Sequence, residues 1–241
     1  MTTLPAPSGG SRYEAPVTRP FPSPGLVRHD GWPTLVWRLG PGWRTVSSAI
    51  LGGGLGDREW LVNMQVQPGY SRMDPARHLT EAAAAQGLDP AAPGVGLMTA
   101  AQVDAYTSGE DQGVRAWATT GIGIPVWAAA PEPGAAGIPA PGTINIVAAL
   151  PVPMSDAALV NAVATATEAK VQALIETGYA CTGTPSDAIC IAAPVAGPAD
   201  EPELFGGPRS VWGARLARAV HAAVAQGARD DRVRRSAREG S

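Results

Sequence analysis

Lys170 is the only lysine in a chain of 241 residues that carries 18 lysines and arginines together. Glu168 stands two positions before it. A little further on, the run Thr182-Gly183-Thr184-Pro185-Ser186-Asp187 collects three hydroxyls, a glycine and a carboxylate directly ahead of the uncharged stretch Ala188–Ala193. So many polar groups at the mouth of an apolar stretch point to a bound ligand. Two asparagines add to the set. Asn63 lies within Trp60–Val66 and Asn145 within Gly142–Leu150, both apolar segments, and a buried amide must find a partner or a ligand. Leu51-Gly52-Gly53-Gly54-Leu55-Gly56 has four glycines in five positions, which permit close approach of backbone to a ligand. Such loops often cradle phosphate. This one lacks the Gly-Lys-Ser/Thr ending of a P-loop and has no acidic ribose reader downstream, so on its own it reads as a turn in preference to a ligand loop.

These residues need elements to hold them. Ser155 with Asp156 caps a long helix that Gly178 ends. Its expected apolar stripe is Val160, Val163, Thr167, Val171 and Leu174, with Lys170 on one edge and Glu168 on the other. The two are about 200° apart around the axis, so they do not pair. Ala188–Ala193 reads as a buried strand. Gly142–Leu150, apolar on both sides, reads as a central strand of a covered sheet. Thr34–Arg38 and Arg44–Ala49, joined by Gly40-Pro41-Gly42, read as a hairpin. Further strands are expected at Trp60–Val66 and Val114–Thr120, with a short buried segment at Val95–Ala101 running into a helix near Gln102–Tyr106. Asp74-Pro75 opens another helix that Gly87 ends. The last helix is expected over Ser210–Ala225. A Pro/Gly/Ala loop through Pro141 reads as a lid or an ordinary excursion. The fold class is α/β: one domain, with a mixed, largely buried β-sheet and helices packed on it. Residues 1–24, rich in Pro, Ser, Gly and Thr, read as a disordered leader, 25–228 as the folded domain, and 229–241 as a charged flexible tail.

Composition removes several classes. A net charge of -3 gives no reason to expect nucleic acid or an anionic membrane as partner. Neither an eighteen-residue apolar run nor a signal-peptide pattern is present, so the expectation is a soluble cytoplasmic protein. Cys181 and Cys190 make no disulfide framework and read as a half-exposed thiol and a core thiol. His78 and His221 read as surface residues with nothing metal-like spaced near them. No metal site is expected.

The ordered motifs resemble the adenosylcobinamide amidohydrolase family of corrinoid salvage (CbiZ type). The matching stretches are Ser47-Ser48-Ala49 with Leu51–Leu55, Asn63 followed by Gln65-Val66 and Pro68-Gly69-Tyr70, Gly96–Ala101, Pro141–Ile146, Ala166–Lys170, and Gly183-Thr184 with Asp187-Ala188. They occur in the family's order and span nearly all of residues 34–225. The resemblance implies an enzyme that hydrolyses the amide joining aminopropanol to a propionate of the corrin ring, releasing adenosylcobyric acid. The corrinoid is then the small-molecule substrate, and no cofactor is expected. Two departures stand out. Pro185-Ser186 replace the usual residue and threonine ahead of Asp187. Ile122–Trp127 lacks the family's asparagine, which bears on substrate range.

Amide hydrolysis needs an activated nucleophile, an oxyanion donor and an acid for the leaving amine. No histidine falls in a family motif and no His-Glu-x-x-His occurs, against both a Ser-His-Asp triad and a zinc hydrolase. Two schemes remain. In the first, Glu168 or Asp187 activates water and Lys170 stabilises the oxyanion. In the second, Ser48, Thr184 or Ser186 attacks, and a desolvated Lys170 takes its proton. The first is favoured, because it needs only one acid in reach. Ser48, Gly52, Gly53, Gly54, Asn63, Thr99 and Asn145 would hold the substrate. A corrinoid carrier or sensor without hydrolysis, or an amidohydrolase with another substrate, would use the same residues.

Overall fold

In the computed structural model, which describes residues 19–131 and 142–239, ten strands and three helices follow one another along the chain. They are β1 (Gly25–His29), β2 (Trp32–Arg38), β3 (Trp43–Ser47), β4 (Gly54–Asp57), β5 (Trp60–Gln65), α1 (Pro75–Ala85), β6 (Gly94–Thr99), β7 (Thr107–Asp111), β8 (Val114–Gly121), β9 (Thr143–Ala149), α2 (Asp156–Glu176), β10 (Ala188–Pro194) and α3 (Val211–Glu239). The α/β class is as expected, but the strands divide into two mixed sheets instead of one. The orders are β1-β2-β5-β6 and β4-β3-β10-β9-β8-β7. Only β5–β6 and β9–β10 pair in parallel.

Period-two alternation explains the layering. In β2 and β5, Leu35, Trp37 and Leu61 meet Trp43, Trp117, Val147 and Cys190 of the second sheet. The alternate residues Val36, Val62 and Met64 face α1, through Leu79, Ala82 and Ala83. Likewise Ile144, Ile146 and Ala148 of β9 pack under α2 and α3, while Val147 and Ala149 face the first sheet. The order of layers is α1, four strands, six strands, α2 with α3. That is why β9 is apolar on both sides.

Several expectations are corrected. Thr34–Arg38 and Arg44–Ala49 are not a hairpin: β2 pairs β1 and β5, while β3 pairs β4 and β10. The turn at Gly40–Gly42 passes the chain from one sheet to the other. The stripe expected for the long helix holds at Leu174 and in part at Val163, and fails at Val160. Val160 is exposed, whereas Ala158, Leu159, Ala162, Ala166, Ala169, Ala173 and Leu174 are buried with Lys170. Ser155 does cap α2, accepting from Ala158 N at 3.2 Å. Asp74 precedes α1 without a side-chain cap bond and pairs with Arg72 instead. Packing starts ahead of residue 25, since Phe21 is buried edge-on to Trp43. It also extends past 228, because α3 runs to Glu239 and buries Asp231. Residues 1–18 and most of the expected lid, 132–141, lie outside the described residues. Among the described residues no helix is long and apolar enough to cross a membrane.

Candidate active site

The C-terminal ends of β3, β5, β6 and β8 meet the N-terminal ends of β9 and β10 at one end of the sandwich. Here the small alanines of α2 let the helix sit close to the sheet, and Lys170 is carried inside with them, 6% exposed. Its ammonium meets Asp187 Oδ2. Asp187 leads into β10 and accepts three further bonds: Ile144 N at 2.9 Å and Thr184 Oγ1 at 2.5 Å on Oδ1, and Thr184 N at 3.2 Å on Oδ2. Both side chains are nearly closed to solvent, at 7% and 11%. Gly183 is required beside them, since a Cβ there would come within 2.2 Å of Asp187 Oδ2 and 2.6 Å of Lys170 Nζ. Thr184 is buried too. Ser186 is exposed, and its Oγ lies 2.9 Å from Thr143 Oγ1.

One residue further along β9, Asn145 points the other way, between the sheets. Its Nδ2 donates to Asn63 Oδ1 at 2.9 Å and to the Met98 carbonyl at 3.1 Å. Asn63 Nδ2 in turn donates to Thr119 Oγ1 at 3.0 Å. Asn145 Oδ1 is buried and accepts no hydrogen bond among the described residues. Backbone Ile144 therefore links the two groups: its N–H holds Asp187, and its neighbour holds Asn63. Lys170 and Asp187 thus pair on the α2 side of β9, Asn145 and Asn63 pair between the sheets, and Glu168 joins neither pair. It lies exposed on the outward face of α2, beside Thr167, Val171 and Gln172 on a shallow surface, because 200° of helix separates it from Lys170.

The remaining expected residues are held by the chain itself. Ser48 Oγ accepts from Ile189 N at 3.1 Å, and Thr99 Oγ1 accepts from Ala101 N at 2.9 Å. Gly52, at φ +66, has no room for a Cβ, which would fall 1.9 Å from the Gly94 carbonyl; Gly53 is closed in the same way by the Ala49 carbonyl, at 2.5 Å. Those two glycines serve chain-to-chain approach, and Gly54 is left in open space. Thr119 and Thr143 join these contacts as well: Thr119 shares the alternation of inward Trp117, and Thr143 that of Asn145. The divergent segment is not remote. Val126 bridges Gly183, donating to its carbonyl at 2.9 Å, and Thr182 N donates back to Val126 O.

A groove opens at Gly121, the partner of Thr143 across β8 and β9. One cavity of about 540 Å³ is lined by Gln65, Gln102, Thr120, Gly121 and Arg235 among others. A neighbouring one of about 270 Å³ shares Trp32 and Gln65 with it. Cys181 proves to be buried, correcting its half-exposed reading, and burial raises its thiol above the usual range. His29 and Asp30 bring ligand atoms to within 4.8 Å of His78 and of each other.

The chain matches the family model described as adenosylcobinamide amidohydrolase over residues 23–236. It is 32% identical over 204 residues to the adenosylcobinamide amidohydrolase of Halobacterium salinarum, covering 81% of this chain and 83% of that protein. Against the protein of the same name from Methanosarcina mazei, identity is 33% over 145 residues, 60% of this chain and 67% of the relative.

Proposed function

From the premise that the chain belongs to the adenosylcobinamide amidohydrolase family, we propose that it hydrolyses the amide between aminopropanol and a corrin-ring propionate. The substrate is adenosylcobinamide or adenosylpseudocobalamin, and the product is adenosylcobyric acid. The corrinoid is substrate, not a resident cofactor. One observation carries the mechanism: the Asp187 carboxylate is filled by four donors, and of these Thr184 Oγ1 is the hydroxyl. A carboxylate offers about four lone-pair sites. No site is left for a water to be deprotonated, so the favoured water scheme gives way to the hydroxyl scheme.

Thr184 passes its proton to Asp187 Oδ1 as its Oγ bonds to the amide carbon. Lys170 spends one N–H on Asp187, and its other two have no acceptor among the described residues, which leaves them for the oxyanion. The proton then moves to the leaving nitrogen, the C–N bond breaks, and water hydrolyses the threonyl ester. Asn145 Oδ1 supports the reading from the other side, since a buried acceptor without a donor costs about 1–3 kcal/mol and favours a ligand N–H. The amide side chains of Gln65 and Gln102 suit the ring's own carboxamides.

The test is incubation with adenosylcobinamide and assay of free aminopropanol. Release by the wild type that is lost in Thr184→Val and kept in part by Thr184→Ser is the expected result. Tight binding without release would instead establish a corrinoid carrier. Wild-type turnover in Thr184→Val would remove the nucleophile assignment.

A further inference from the structure

Two of the chain's three histidines, His29 and His78, lie 49 positions apart in sequence and meet in space. The turn between β1 and β2 is built by Asp30 and Gly31, at φ +48 and +82, the left-handed pair that closes a two-residue hairpin. That turn lies against the start of α1. Both Nε2 atoms then face the same carboxylate oxygen: His29 at 3.5 Å and His78 at 4.0 Å from Asp30 Oδ2.

The shorter separation is close to that of neighbouring ligands, and the exposed carboxylate leaves room for the longer one to close. Zinc-to-nitrogen and zinc-to-oxygen bonds near 2.0–2.2 Å around a tetrahedron place neighbouring donors about 3.4 Å apart. Tyr70 completes the arrangement. It stacks on the His78 ring at 5.7 Å and 11°, and its hydroxyl lies 3.0 Å from Nδ1. A partner on one ring nitrogen fixes the imidazole and turns the other nitrogen to the metal. The imidazoles are largely covered, at 11% and 12% exposure, while Asp30, at 74%, is free to adjust. Arg72, which lines the same cavity, is held by Asp74 and Glu81.

We propose that His29, Asp30 and His78 bind one divalent cation of the zinc class, with the remaining coordination position open to the 270 Å³ cavity. Two imidazoles and one carboxylate select zinc, cobalt or nickel over magnesium and calcium. Occupancy would pin the β1–β2 turn to α1 at the head of the groove. The site shares no residue with the Lys170–Asp187–Thr184 centre.

The experiment uses chelator-treated, tag-free full-length protein, titrated with Co²⁺ and Zn²⁺. One equivalent should bind, with visible cobalt bands that Zn²⁺ displaces and Mg²⁺ does not. His29→Ala and His78→Ala should each weaken binding ten- to a hundredfold, and His221→Ala should leave it unchanged. Asp30→Asn, which keeps the turn conformation, should weaken binding and remove the Zn²⁺-dependent rise in Tm without loss of the fold. Equal affinity in wild type and the His78 and Asp30 variants, or no cobalt bands at saturating metal, would overturn the proposal.

Discussion

Asp187 answers to four donors, and removing its charge strands the ammonium that faces it. Breaking a buried ion pair from one side costs about 3–5 kcal/mol. Asp187→Asn should therefore lose aminopropanol release and also unfold at lower denaturant, whereas Lys170→Met with Asp187→Leu should recover part of that stability without activity. Urea midpoints measure both. Glu168 gives the contrast. On the exposed face of α2, its change to Gln should leave kcat/KM within about twofold of wild type, against a loss of about 10²–10⁴ for Thr184→Val, the range for a positioned proton-transfer group. A large Glu168 effect would show that the exposed face of α2 takes part. Burial pushes the Cys190 thiol up to about 12. Alkylation at pH 8 should spare it in the folded protein and reach it once urea unfolds the chain, which peptide mass mapping reads directly.

The phase of α2 decides which of its residues matter. Leu159 is fully buried and Val160 half exposed, one position and 100° apart. Leu159→Ala should cost about 2–5 kcal/mol and Val160→Ala less than about 0.5 kcal/mol. The reverse ranking would restore the stripe expected from the sequence. Ser155→Ala should cost about 1 kcal/mol through the lost cap. The buried face of α2 is mainly alanine, too small to register as an apolar stripe beside valines. The same alanines let Lys170 approach the loop that carries Asp187. The helix ends, by contrast, were legible, because capping is local chemistry.

Across the whole molecule, arginine–carboxylate pairs join helices to strands of the six-stranded sheet. Arg218 fixes Asp111 between α3 and β7, and Arg44 fixes Asp156 between β3 and α2. Each carboxyl is held below its ordinary 3.8, first by the side-chain bond to its arginine. A depressed folded pKa means that the unfolded chain binds protons more readily. The pairs contribute above pH 3.8, and their contribution is lost as pH falls through the lowered folded values. Urea midpoints should thus drop on acidification below about pH 4, and Arg218→Met should flatten part of that drop. An unchanged acid limb in that variant would show that Asp111 is not a linked group.

What the sequence determined by itself is local. It set the polar residues ahead of β10, the asparagines inside apolar strands, the α/β alternation and the cap of α2. It also set the opposite-edge placement of Glu168 and Lys170, which helical geometry alone supplies. Tertiary structure decided the partners. It separated β2 and β3 into different sheets, joined Asn145 to Asn63 across 82 residues, and gave Asp187 four hydrogen-bond donors. It also carried His29 to His78. The physical reason is that periodicity and capping act within a turn or two of chain, while strand pairing and layer packing join segments whose meeting no local pattern encodes.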